Sequence, residues 1–406
     1  MAVTRAAVIL AIAGCLGVGI YGTHINGAKN GFFAALGRCA GRGTSPETFY
    51  FPGGPEPFTW TYTGVPAIDG QLRVLVAFFT AVLDGEKSWD VVASYWSLMF
   101  QFAAGWTLLS IEGLREGNRG RVVSWIGTMG VVVQNAAYTV AAPVYLITHL
   151  LTSPTASSSS LKASSLVIDP TAAKILPTCA LLAFFVPGIA MTLPSPSVLS
   201  PSAHYGWIAA WQAFPIWQAL LLFVLRPVLA PLFKFSSHTD WRKTTRSAYQ
   251  FALELSVVGH LGLLAVAVTP PTVVPSSGWA APWLSTMLKE VDFSRAFVPT
   301  SLTDPPSVME ELGKLVDRVP AGWLAPLAKH FLQWDVYSAN AAVLIWAAFL
   351  YSRAAGLSTA RTSPGTVFIK ACGWFVVGGP TAAAAILLRE RDDAVVENEV
   401  GKGKKV

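Results

Sequence analysis

Along its 406 residues the chain alternates long apolar runs with short polar joints. A helix that crosses a bilayer needs about 20 predominantly apolar residues. Nine runs approach that length: Ala6–Tyr21, Pro66–Leu83, Val91–Ile111, Val122–Leu151, Ala173–Leu193, Gly206–Val224, Ala248–Val268, Leu327–Tyr351 and Val367–Leu388. The pattern predicts an all-α fold, a polytopic membrane helical bundle of eight or nine spans. The count depends on whether the first run is a cleaved signal or a retained anchor. Thr23–Thr63 has no helical period and carries the Phe49-Tyr50-Phe51-Pro52 stretch, so it reads as ordered turns over the membrane surface. Thr152–Ser165, with Ser157 to Ser160 consecutive, reads as a flexible linker. The segment Thr269–Ala328 holds two amphipathic stretches, Trp283–Val291 and Val308–Val316, each too polar to span. The expected organisation is therefore 1–22 anchor or signal, 23–268 first part of the bundle, 269–328 interfacial insertion or lid, 329–388 last two spans, and 389–406 disordered charged tail. No internal repeat is visible, which argues against a solenoid.

Composition sharpens this picture. Only 13% of residues are charged and 53% are hydrophobic, against about 25% charged in soluble domains. The net charge of +6 comes from clusters such as Arg115–Arg121, Lys234–Arg246 and Arg389–Lys405, which flank apolar runs. That placement suits contact with membrane lipid and not nucleic acid. Cys15, Cys39, Cys179 and Cys372 are scattered, with neither a disulfide framework nor metal-ligand spacing. Pro143, Pro187, Pro215 and Pro227 are expected to kink their helices and open space between them.

Ionisable groups within or beside a span are costly, so each is a candidate for function. Strict alternation of nine spans brings Asp69, Glu112 and Asp335 to the membrane face that carries the Phe49–Thr63 loop. Glu112 ends a helix, where the dipole disfavours its ionised form and makes a neutral proton donor accessible, although Arg115 pulls the other way. Asp335 lies inside a helical run with Trp334, Tyr337 and Asn340 nearby, and is expected to accept a proton or to orient water. Asp69 follows Pro66 in a first helical turn with Arg73 four residues on, an ordinary helix start, and is held in reserve. Glu254, inside an apolar run that enters from the other side, is a second reserve. Gln101, three turns before Glu112, shares its face, and Gln134, Asn135 and Tyr138 give the following run a polar side. Arg115, Asn118, Trp334, Tyr337, Asn340 and Gln101 are the candidate substrate contacts. Of the 15 tryptophans most belong to interfacial belts, and a few facing a cavity would stabilise a cationic intermediate.

Absences narrow the chemistry. There is no D-D-x-x-D, N-D-x-x-D or D-x-D-D motif, no G-x-S-x-G, no H-E-x-x-H and no P-loop. Metal-assisted diphosphate chemistry is therefore not expected, and neither a metal nor an organic cofactor is called for. Three stretches carry a resemblance: Gly64-Val65-Pro66-Ala67-Ile68-Asp69 before a span, Glu112-Gly113-Leu114-Arg115-Glu116-Gly117-Asn118-Arg119 after one, and Trp334-Asp335 opening another. The chain resembles fungal membrane terpene cyclases of the ascochlorin and ascofuranone type. At greater distance it resembles pyripyropene-type meroterpenoid cyclases and the epoxide-opening hydrolases of polyene polyketide pathways. That resemblance implies an acid–base enzyme in which one Glu and one Asp protonate an epoxide, with Glu112 and Asp335 as counterparts. The long 269–328 insertion and the extra spans depart from the small cyclases, so the substrate and the choice between cyclisation and hydration stay open. The expected partners are a lipophilic small molecule and membrane lipid, the expected location a multi-pass position in the endoplasmic reticulum. A metabolite transporter lined by Glu254, Gln134 and Asn135, and a non-catalytic scaffold, are the rival readings.

Overall fold

In a computed structural model of the chain, residues 4–41, 50–84, 88–157, 161–233, 240–274, 281–315, 318–357 and 363–403 are described, and every regular element among them is helical. In order these are α1 (Arg5–Ile20), α2 (Asn26–Lys29), α3 (Phe32–Cys39), α4 (Pro66–Leu83), α5 (Trp89–Gly113), α6 (Ile126–Ala136), α7 (Tyr138–Thr152), α8 (Ala163–Leu166), α9 (Pro170–Ala180), α10 (Val186–Ala190), α11 (Pro201–Gln212), α12 (Phe214–Leu229), α13 (Asp240–Val268), α14 (Ala281–Glu290), α15 (Phe293–Phe297), α16 (Met309–Lys314), α17 (Leu324–Leu357) and α18 (Pro364–Gly403). Local chemistry sets many of the starts. Thr4, Asp169 and Ser200 accept backbone N–H groups ahead of α1, α9 and α11, and prolines open α4, α9 and α11.

Two long helices, α5 and α17, form the centre and run the same way. Asp90 near the start of α5 pairs with Lys329 near the start of α17. At the other end, Glu112 of α5 and Trp346 of α17 are bridged by His149. Both helices are buried along much of their length, at Leu98, Phe102 and Trp106 on α5 and at Val336, Ala339 and Val343 on α17. Gly105 makes the closest approach possible, because a Cβ there would collide with the Tyr138 hydroxyl and the Asn340 side chain. Around this pair, α13 packs against α5 and α18, and α1 against α17 and α7.

Among the described residues, six helical segments are long and apolar enough to cross a membrane: Arg5–Lys29, Pro66–Leu83, Ala163–Ala190, Phe214–Leu232, Trp241–Val268 and Gly365–Glu399. Their outer faces leave large side chains uncovered, such as Phe223 (79% exposed) and Ile369 (72% exposed), as lipid-facing surfaces do. These six do not confirm the count of eight or nine spans.

The largest departure is at Val122–Leu151, expected as one span. It is two half-helices, α6 and α7, that fold back on each other at Ala137. The ends of the hairpin meet, since Arg121 donates to the Thr152 carbonyl at 3.1 Å and Tyr145 to that of Val123 at 3.0 Å. Ala137 turns the chain with φ 72° and ψ 156°, a conformation that is essentially glycine's, at a cost of about 1–3 kcal/mol. The last run does the same. α18 breaks at Gly379 (φ 76°, ψ −173°), and Lys370 pairs with Glu390 at 2.5 Å. In a straight helix those residues would lie about 30 Å apart. Two hairpins that enter and leave on one end upset the strict alternation of sides. Thr152–Thr155 and Glu112–Arg121, expected at opposite ends, are in contact through Thr155 with Glu112 and Ser153 with Asn118.

Other expectations change with these. The segment from Thr23 continues as helix through α2 and α3, and the longest irregular stretch among its described residues is 50–64; 42–49, Phe49 included, lie outside the described residues. The expected linker after Thr152 contains a 3-10 turn, Pro154–Ala156, with Thr155 fully buried; 158–160 lie outside the described residues. The tail expected to be disordered from 389 instead continues α18 to Gly403 and buries Arg391 and Asp392; 404–406 lie outside the described residues. The 269–328 insertion carries α14, α15 and α16.

Candidate active site

The sequence-predicted acids separate into four different settings. Asp69, at the start of α4, accepts from the backbone N–H groups of Tyr62 (3.2 Å), Thr63 (2.7 Å) and Gly64 (3.0 Å) and from the Thr63 hydroxyl (2.9 Å). It ties the irregular 50–64 segment to α4, while Arg73, its expected partner, lies 3.7 Å over the Trp60 ring. Glu254 is exposed on α13 and accepts from Gln250.

Glu112 is the hub of a buried ion network. Arg391 Nη2 approaches Glu112 Oε2 at 2.9 Å and Arg115 Nε at 3.5 Å. Thr155 donates to Glu112 Oε1, and His149 Nε2 lies 3.0 Å from it. The Trp346 indole N–H donates to His149 Nδ1, so a neutral His149 carries its proton on Nε2, facing Glu112. Arg115 also pairs with Asp392 at 2.6 Å, as does Arg391 at 2.9 Å, and Tyr249 closes the set. Two guanidinium groups thus face two carboxylates, the balance that buried charge requires. The network fastens the end of α5 to the bases of both hairpins.

Asp335 sits elsewhere. Trp346, eleven residues further along α17, reaches the Glu112 network through His149, and eleven helical residues rise about 16 Å. The two acids expected to work as a pair are therefore not brought together. Asp335 is 8% exposed and makes no ion pair among the described residues. Its Oδ1 accepts from the Thr139 N–H at 2.7 Å, in the first turn of α7, where a helix leaves its amide donors unused. The break at Ala137 creates that helix start and aims it at the acid.

Asp335 lines a half-open cavity of about 390 Å³ bordered by α3, α4, α5, α11, α17 and the α6–α7 tip. Its walls are Phe33, Phe78, Phe79, Phe102, Trp211 and Phe331, with further aliphatic side chains. The polar residues on it besides Asp335 are His24, Gln71, Gln134, Asn135 and Tyr138. Size and lining match an enclosure for one lipophilic molecule. Its aromatic faces present negative potential to a cation.

None of the expected substrate contacts lines this cavity. Arg115 and Asn118 belong to the Glu112 network. Gln101 is buried against α13 and α18, donating to the Ser256 and Gly378 carbonyls at 3.1 and 2.9 Å. Trp334 and Tyr337 donate to the carbonyls of Thr300 and Phe297 in the segment before α16. Asn340 stands behind the wall and accepts from the Tyr138 hydroxyl at 3.2 Å. The residue that sequence reasoning missed is His24. The Thr23–Thr63 stretch reads as a surface segment, whereas the apolar run from Arg5 continues as helix to Lys29 and carries His24 onto the cavity.

A helical, membrane-suited protein with an acid set in an aromatic cavity is the class that fold and site define. The description of a family model, CtvD domain, matches residues 5–396, and the chain belongs to that family. It is similar to terpene cyclase ascI of Acremonium egyptiacum, 26% identical over 359 residues, which cover 87% of this chain and 84% of that protein. It is similar also to terpene cyclase atmA of Aspergillus flavus, 23% identical over 92% of this chain and 93% of the relative. A third is terpene cyclase ctvD of Aspergillus terreus, 23% identical over 82% and 84%. No solved structure matches.

Proposed function

We propose that the chain is a membrane terpene cyclase that opens a lipophilic epoxide by protonation and closes rings within the Asp335 cavity, in fungal natural-product biosynthesis. The observation that carries the reading is an acid without a paired cation among the described residues, set among aromatic rings and held by a helix start. Family membership and the names of the relatives support the cyclisation class. A proton donor has to enter the reaction carrying its proton, and a carboxylate already bound by two guanidinium groups, as Glu112 is, has none to give. Asp335 protonates the epoxide oxygen, the C–O bond to the more substituted carbon breaks, and a neighbouring double bond attacks that carbon. As the proton leaves, negative charge grows on Asp335, and the Thr139 N–H with the start of α7 meets it there. Positive charge migrating along the substrate is met by the rings of Phe78, Phe102, Trp211 and Phe331. No metal or cofactor enters these steps.

The apolar lining favours closure by the substrate's own double bond over attack by water, so cyclisation is the leading outcome and hydration the second. The substrate enters from membrane lipid, and we place the protein as a multi-pass enzyme of the endoplasmic reticulum. Microsomes carrying the chain, incubated with a terminally epoxidised farnesyl arene, should yield a cyclic isomer of unchanged mass. A diol as sole product would mark a hydrolase. Unchanged substrate moved across proteoliposomes would mark a transporter.

A further inference from the structure

Ring closure by the proposed route ends on a carbocation, and something has to remove a proton from it; the inference here rests on that reading. We infer that His24 is this base and that Thr23 sets its tautomer. His24 lies on the cavity wall in a π-helical turn, Tyr21–Ile25, interrupting an otherwise α-helical run. Such turns cost helix geometry and concentrate at functional sites. The turn is pressed against α17 beside Asp335, since a Cβ on Gly22 would come within 2.5 Å of Trp334. The His24 ring lies 6.0 Å from that of Phe331, which precedes Asp335 by one helical turn. Acid and imidazole therefore border one cavity from two packed elements, His24 on its turn and Asp335 on α17.

The hydrogen bonds decide which nitrogen is free. Thr23 Oγ1 donates its single proton to the Gly19 carbonyl at 2.7 Å. Its 2.8 Å contact with His24 Nδ1 therefore makes Nδ1 the donor. Neutral His24 then carries its proton on Nδ1 and a lone pair on Nε2, which no described residue engages. Across the cavity Gln71, Gln134 and Asn135 are uncharged amides, and Tyr138 points its hydroxyl at Asn340. None of them accepts a proton as imidazole does.

The step balances. The Asp335 O–H bond breaks and the proton goes to the epoxide oxygen, whose C–O bond opens. A C–C bond forms from a substrate double bond, leaving a cation. A C–H bond beside that cation breaks, its electron pair forms the product alkene, and its proton goes to Nε2. Return of that proton to Asp335 leaves a net isomerisation.

The test uses the full chain in microsomes with a terminally epoxidised farnesyl arene and reads product identity and epoxide consumption separately. His24→Phe keeps ring packing against Phe33 and Phe331, and His24→Gln keeps a donor toward Thr23. Each is first checked for monodispersity after detergent extraction. Both should still consume epoxide, while the native alkene falls at least about tenfold relative to alcohols formed by water capture and to isomeric alkenes. The native alkene as sole product from either variant overturns the inference. Loss of consumption in a monodisperse variant also overturns it, because a terminating base acts after the epoxide has opened. If neither variant is monodisperse, Thr23→Val decides: the same shift in products supports the assignment, and an unchanged spectrum overturns it. Full consumption by Asp335→Asn would instead sink the proposed function, whatever the His24 result.

Discussion

The tips of the two hairpins use one backbone device for different ends. At Ala137 and at Gly379 a helix stops, turns through positive φ and restarts in the interior. At the first tip the restarted helix gives an N–H to Asp335, which borders a cavity. At the second, Gln101 spans the break, donating to the Gly378 carbonyl while Thr381 donates to its Oε1, and Ser256 completes the set. Gln101 does not line that cavity. The same interruption thus holds an ionisable acid beside open space in one place and a neutral amide inside packed helices in the other. Opening a helix at depth is structural in itself, and the group placed against it decides whether it does chemistry. Even the linking residue differs: the structural tip has glycine, which adopts the turn freely, and the cavity tip has alanine, which is strained there.

The comparison is broken first at the acids. Asp335→Asn should lower turnover by about a thousandfold with the chain still folded, because the amide keeps the Thr139 contact and cannot give a proton; conversion assays on quantified microsomes check this. Glu112→Gln should destabilise by about 3–5 kcal/mol, since Arg115 and Arg391 would stay buried with too little negative charge. A fall in the midpoint of thermal unfolding in detergent, with turnover per folded molecule near wild type, is the expected pair of readings. Gln101→Ala strands the Gly378 carbonyl side of the second tip without a donor and should cost about 1–3 kcal/mol, again in stability and not in turnover. The smallest effect is expected from Ala137→Gly, which relieves the strained turn and should raise stability by about 1 kcal/mol after glycine's own entropy cost. A lower unfolding midpoint in that variant would contradict the strain argument.

How far these features could be read in advance follows from how local they are. The helical, membrane-suited class follows from run length and scarce charge, and the start at Pro66 from the residues beside it, whereas the starts at Pro170 and Pro201 fall three and five residues before the apolar runs begin. Fold-back does not follow, because the apolar period predicts a helix and is silent on its direction. Gly378-Gly379-Pro380 carries a recognisable breaker signal inside the last run, whereas Ala137 carries none. Missing the first hairpin inverts the sides of the chain that follows, and so wrongly sets Asp335 at the same end as Glu112. Its strongest partner, Arg391, is 279 residues away and lies in a stretch whose charge suggested a solvated tail. Asp335 could be singled out as an acid within an apolar run. Its setting could not, because the cavity draws on seven helices and the turn of His24, spread over more than three hundred residues.

The central claim is that chemistry resides at one tip only, and turnover per folded molecule of Asp335→Asn beside Gln101→Ala tests it most directly. Both variants are normalised to monodisperse protein and given the same epoxide. The account predicts that Asp335→Asn leaves the epoxide intact while Gln101→Ala, less stable, still cyclises it near the wild-type rate. Cyclisation by Asp335→Asn at the wild-type rate would contradict it.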